Sequence, residues 1–246
     1  MGRKGKVIRI IINEVSMKPT LTPLIRLLQL SDSAFPVGTF SFSNGLESAA
    51  HTGVVYDAQT LQSYARTIAL QAAYTDGVAA LHALRSTRRG DYEGILQADR
   101  SLFQLKLNGE ARTMQQRMGR KLAELGIHLT ASETMSRWLD DIKEGITPGT
   151  YPVAQGIVFC ASGMNEELLY TAHQYGVLSM VLNAALRCVK VSHYDTQRIL
   201  YRLGGEALTW LPEVRSLTLD DMNNFTPQAD ILASIHEKGA MRMFMN

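Results

Sequence analysis

Residues 57–90 read DAQTLQSYARTIALQAAYTDGVAALHALRSTRRG. Leu61, Tyr64, Ala65, Ile68, Ala72 and Ala79 recur at helical spacing, so one face of a long helix over 58–87 is apolar. Asp57 stands where a carboxylate caps the first free N–H groups. Arg88-Arg89-Gly90 stands where cations and a left-handed glycine close a helix. This grammar repeats along the chain. Asp91 opens a helix to about Gln104, Asn108 opens one through Leu125 with Gly126 just past its end, and Ser132 opens one to about Gly145. Helices over Pro152–Gly163, Glu166–Val191 and Thr196–Trp210 follow. Near the start, Pro23 sits in the first turn of a segment carrying Leu24, Ile25, Leu27, Leu28 and Leu30. No alternating strand pattern of any length occurs after position 16. The expected fold is all-α, a single-domain bundle of about eight to ten helices.

Two stretches depart from this rhythm. DSAFPVGTFSFSNG, residues 32–45, is a structured loop ahead of a helix starting near Leu46. From Pro212 onward helix signals thin, while Phe225, Ile231, Ile235 and Phe244 need a surface to cover them. The domain reading is therefore an N-terminal extension (1–22), a helical domain (23–211), and a C-terminal tail (212–246) ordered on partner binding. In the extension, Arg3, Lys4, Lys6 and Arg9 flank the short apolar run Val7 to Ile12. That run is too short for an export signal and reads as a start-site extension or an added strand.

The 246 residues are 46% hydrophobic and 20% charged, with a net charge of +2. This is globular composition without a global field to draw nucleic acid or membrane. Two cysteines, Cys160 and Cys188, fit neither a disulfide scaffold nor a zinc motif, and both lie in apolar helical stretches as packing residues. A reducing cytoplasm is the expected compartment. There is no phosphate-binding Gly-x-x-x-x-Gly-Lys loop, no dinucleotide turn and no nucleophile elbow. The six histidines form no His-x-x-x-His pair. His173, mid-helix in TAHQYG, is open to two readings: a packing histidine, or a proton- or metal-handling group. The residues alone thus give a helical protein without evident catalytic machinery.

LLQLSDSAFPVGTFSFSNGLE, residues 27–47, resembles the UreF family of urease accessory proteins. The matching positions are Asp32, Ser33, Pro36, Gly38, Phe40, Ser41, Ser43, Gly45, Leu46 and Glu47. Three more segments follow in the family's order. LNGEARTMQQRMGRKL supplies Asn108, Glu110, Arg112, Gly119 and Arg120. NAALRCVKVSHYDTQRIL supplies Ala185, Arg187, Asp195 and Gln197, and HEKGAMRMF supplies His236, Glu237, Arg242 and Phe244. Phe42, Gln155 and the pair Ser192-His193 depart from residues usual in the family.

The resemblance implies a non-enzymatic chaperone of urease maturation. It would bridge UreD (also called UreH) and the GTPase UreG for GTP-dependent nickel insertion into apo-urease. It would act as a homodimer, and nickel would be handled by the assembled complex with no stably bound cofactor. Partner contacts are expected from Pro36, Gly38, Phe40, Ser41, Gly45, Glu47, Glu110, Arg112, Arg187, Asp195, Gln197, Arg242 and Phe244. The alternatives are a regulator of the UreG GTPase and a helical metal-dependent enzyme using His173. Arg187, in an apolar stretch, needs a partner; Asp195 and Glu110 are the expected carboxylates. Arg242 is expected to stack on the loop carrying Phe40.

Overall fold

The computed structural model describes residues 21–237 and 243–244, apart from the side chains of Phe40, His236 and Glu237. Arg242 and residues 1–20 lie outside the described residues. The helices are α1 (Leu21–Ser31), α2 (Leu46–His51), α3 (Ala58–Ala72), α4 (Val78–Arg89), α5 (Tyr92–Gln104), α6 (Gly109–Thr130), α7 (Glu133–Lys143), α8 (Tyr151–Ala161), α9 (Glu166–Cys188), α10 (His193–Leu208), α11 (Leu211–Ser216) and α12 (Pro227–Glu237). Ten have eleven residues or more, and there is no strand among the described residues.

The caps legible in the sequence are made. Asp57 accepts the N–H of Thr60 at 2.8 Å, Asp91 that of Gly94 at 2.9 Å, and Asn108 that of Ala111 at 2.7 Å. Each such cap is worth roughly 1 kcal/mol. Ser192 and Asp195 form a reciprocal box at the start of α10. Several boundaries differ from the sequence reading, α10 starting at His193 instead of Thr196 and α9 ending at Cys188 instead of Val191, and two differences carry a physical reason. Gly126 does not end α6, which continues to Thr130 and closes on Ala131 at φ +50°. Gly126 is instead a packing residue, since a Cβ there would sit 2.6 Å from Val158 Cγ2 of α8. The segment 58–89 is also not one uniform helix. A five-residue π-turn, Ala73–Gly77, separates α3 from α4. Such turns cluster at functional sites. Gln174 of α9 braces its start, donating to Ala69 O at 3.2 Å and accepting from Ala73 N at 3.3 Å in the amide orientation that satisfies both.

The larger core gathers α4, α5, α6, α8 and the N-terminal half of α9 around Leu81, Leu84, Ile95, Trp138, Ile157 and Tyr170. α4 and α8 cross closely because a Cβ on Gly156 would lie 2.6 Å from Ala80 O. A second core lies between α2, α3, α10 and the C-terminal half of α9, and includes Leu46, Leu61, Leu182, Leu203 and Phe244. The tail, expected from sequence to be loosely held, packs on this body over its described part. Val214, Leu219, Met222, Leu232 and Ala233 are buried. Gln71 of α3 staples residues 223–226, accepting the Phe225 N–H at 2.8 Å and donating to Asn223 O at 2.9 Å.

One contact is unusually tight. A Cβ on Gly119 of α6 would lie 2.1 Å from Gly149 O, in the loop before α8. Backbone cannot yield as a side chain end does, so Gly119→Ala is expected to destabilise by about 3 kcal/mol, the upper end of ordinary overpacking. A urea midpoint equal to that of the parent would show that the loop moves aside freely.

Candidate partner-binding site

Asp32 Oδ1 starts the 32–45 loop by accepting the Ala34 N–H at 2.7 Å. Gly38 has φ +87° with open space around it, so a turn is all that it requires. Gly45 is needed twice over. Its φ is +76°, and a Cβ would lie 3.1 Å from the Tyr64 hydroxyl and 3.3 Å from both Ala229 O and Ala233 N of α12. Tyr64 donates to Asn44 O at 2.6 Å, and its burial pushes the phenol pKa up, keeping it a donor. Phe42, where the resembled family commonly has histidine, is buried against Met114, Met118 and Met180.

Just beyond this turn the chain's last described residues are fastened. Glu47, in the first turn of α2, accepts the N–H of Met243 at 2.9 Å on one oxygen and that of Phe244 at 3.2 Å on the other. The Phe244 ring is 5% exposed, and the Arg187 guanidinium lies 3.8 Å over it. A guanidinium on an aromatic face gains about 0.5–2 kcal/mol, more when desolvated. Gly45, Glu47, Arg187 and Phe244 therefore converge, although they come from three separate segments. Arg187 lies over the Phe244 ring, and Asp195, one of the two carboxylates expected beside it, is committed instead to the α10 cap, with Arg198 3.9 Å away. The arginine–aromatic stacking expected of Arg242 and Phe40 falls outside the described residues.

The remaining predicted residues are dispersed. Pro36 and Gln197 are exposed, Ser41 is half-buried, and Glu110 is buried at the start of α6. Arg112 lies outward, donating to Lys106 O at 2.7 Å and covering the Phe103 ring at 5.4 Å.

Beside Gly45 lies a cavity of about 150 Å³, walled by α3, α6 and α9 and roofed by α12. Sequence reasoning missed its polar wall. The π-turn sets Asp76 facing α6, where it accepts from Lys106 Nζ at 2.6 Å, Gln115 Nε2 at 2.7 Å and the Thr75 hydroxyl at 2.8 Å. Burial alone would raise the Asp76 pKa, but the Lys106 ammonium and these donors hold it below the ordinary carboxylate range. His173 is buried, with Nδ1 3.1 Å from Gln155 Oε1 and Nε2 without a hydrogen-bond partner. A carbonyl oxygen at Nδ1 assigns the proton to that nitrogen. Nothing in the isolated sequence tied Asp76 to Lys106, thirty residues away.

Burial holds the His173 pKa below 6.5; Asp76 opposes this and Lys106 reinforces it. The folded chain thus binds this proton more weakly than the unfolded one. Stability from this source is complete above about 6.5 and falls as pH drops below it. His82, depressed mainly by burial, acts in the same direction. His173→Gln should flatten, without abolishing, the loss of stability between about pH 6.5 and 5. A denaturation profile with the parent's slope would assign that loss elsewhere.

Such a molecule falls in the class of all-helical proteins, here one in which Glu47 and the Arg187 guanidinium hold Phe244 near the C-terminus. The comparisons specify it further. The sequence pattern of the UreF family matches residues 55–204. The urease accessory protein UreF of Yersinia enterocolitica serotype O:8 is 43% identical over 223 residues, covering 91% of this chain and 98% of that one. Those of Yersinia pseudotuberculosis serotype IB and Yersinia pestis strain Pestoides F are each 42% identical over the same span. The chain belongs to the UreF family of urease accessory proteins and is an accessory protein rather than an enzyme. The reading of His173 as a catalytic group gives way to a buried structural role. No helix among the described residues is long and apolar enough to cross a membrane.

Proposed function

We propose that this chain is a urease maturation chaperone in the cytoplasm, bridging UreD and the GTPase UreG so that nickel enters apo-urease in a GTP-dependent step. Nickel is cargo of the assembled complex in this reading. Among the described residues no group of three or more histidine, cysteine, aspartate or glutamate side chains is close enough to hold a metal. The supporting observation is the convergence of three resemblance segments on one junction, where Glu47 and Arg187 hold Phe244. A partner seated on the 36–47 loop and the tail contacts segments distant in sequence at once.

Homodimerisation belongs to the same proposal. Leu21, Leu24, Ile25 and Leu28 form an exposed apolar row on α1 at i, i+3, i+4 and i+7, while Leu30 turns into the core. Contiguous exposed apolar surface of this kind marks an interface. The deciding experiment is co-purification with UreD, UreG and the urease subunits, with and without GTP and nickel. A complex containing UreD and UreG is expected. No co-complex under any of these conditions would overturn the proposal.

A further inference from the structure

On the side of the molecule formed by α5, α6 and the 145–148 loop runs an open groove of about 570 Å³. Arg100 of α5 and Arg117 and Arg120 of α6 line it, with Phe103, Gln116 and Ile146. No carboxylate is among its described lining residues, in a chain whose net charge is only +2. We propose that this groove docks a short acidic segment of a protein partner, its carboxylates on Arg100 and Arg120 and an apolar side chain against Ile146.

Three observations carry this. First, Arg100 and Arg120 are weakly committed. Arg100 lies 3.4 Å from Glu93 and 3.4 Å from Ile146 O, and Arg120 lies 3.4 Å from Glu124. Their side chains are 45% and 55% exposed, against 79% for Arg198 of α10. Exposed pairs of this kind are worth at most about 1 kcal/mol, so an incoming carboxylate displaces them readily. Arg85 and Glu166 show the contrast: a bidentate pair at 3.1 and 2.8 Å.

Second, the groove's wall is fixed in advance. Asp99, fully buried, accepts the Thr147 hydroxyl at 2.7 Å, the Gly149 N–H at 2.8 Å, and both the N–H and hydroxyl of Thr150. Burial raises its pKa, which these four donors oppose. The contact of Gly119 with Gly149 locks the same loop from the other side. The loop therefore presents Ile146, 45% exposed, on a rigid support. Preorganised surfaces of this kind lose little entropy on binding.

Third, the chemistry favours a peptide over nucleic acid. The Phe103 face is already covered by Arg112, so it is not free to stack a base. Arginine forks match carboxylates, and an exposed isoleucine beside them suits an apolar side chain.

This inference does not rest on the UreD and UreG reading, and its test uses the purified full-length chain alone. A fluorescein-labelled peptide, Glu-Glu-Leu-Glu-Glu-Leu, is titrated at low salt by fluorescence polarisation, with its glutamine counterpart as the uncharged control. Binding of the acidic peptide alone is expected. Arg100→Glu with Arg120→Glu, and separately Ile146→Asp, should each weaken it at least tenfold, about 1.4 kcal/mol. Arg198→Glu, reversing a more exposed arginine on α10, should leave it within about twofold. A photoreactive version of the peptide should attach to residues 100–120 or 142–148. Absence of binding, equal weakening by Arg198→Glu, or attachment elsewhere would overturn the inference. So would displacement by inorganic phosphate or a twelve-nucleotide RNA at lower concentration than by unlabelled peptide.

Discussion

Lys106→Ala is expected to remove about 3–5 kcal/mol of folding stability, the cost of stranding a buried carboxylate without its counter-ion. Domains of this kind hold some 5–15 kcal/mol in total, so the loss is a large fraction of what exists. The reason lies in Asp76, which stays buried under α12 with only Gln115 and Thr75 to answer its charge. The sign with pH follows. Asp76 is held below its ordinary value in the folded chain, so its contribution is present above the unfolded pKa near 4 and is lost as pH falls through the folded one. Lys106→Ala removes the cation that depresses that pKa, so the variant should gain relative stability toward pH 4 while the parent loses it. Asp76→Asn together with Lys106→Met should recover part of the loss at neutral pH, because neither then leaves a naked charge. Urea unfolding at pH 7 and pH 4.5 measures all of this. A Lys106→Ala midpoint within experimental error of the parent's at pH 7 would mean that water already solvates Asp76 from the cavity.

Phe244→Ala should release the C-terminal segment. Truncating a buried phenylalanine costs about 3–5 kcal/mol where the surroundings do not collapse. Here the effect cannot exceed the free energy with which the tail docks, so it should appear as local opening rather than global unfolding. Amide exchange across residues 227–237 should accelerate by two or more orders of magnitude, while α4 and α8 keep their protection. Urease activation in a reconstituted assay should fall with it. Arg187→Ala removes the stacking cation, a contact worth about 0.5–2 kcal/mol. Glu47→Gln should fall between, since an amide oxygen can accept one of the two N–H groups that the carboxylate now takes. Unchanged exchange in residues 227–237 with wild-type activation would show that the tail docks through α12 alone.

The sequence by itself determined the helices, most of their beginnings and the family. Capping is local: Asp57, Asp91 and Asn108 each serve an N–H three residues ahead, so the signal and its consequence share one turn of chain. The four resemblance segments were legible for the same reason, as short strings of fixed residue types. Gly126 shows where this reasoning ends. Glycine at that position resembles a helix terminator, yet only the approach of Val158 from α8 explains it. The π-turn, the Asp76–Lys106 pair, the partner of Arg187 and the groove behind Asp99 were decided by tertiary structure. Each depends on contacts between residues thirty or more positions apart. Helical periodicity says which face of a helix is apolar, but not which neighbour meets it. That choice belongs to packing, where glycine contacts, buried charge and the fit of one ring under one guanidinium depend on all the helices together.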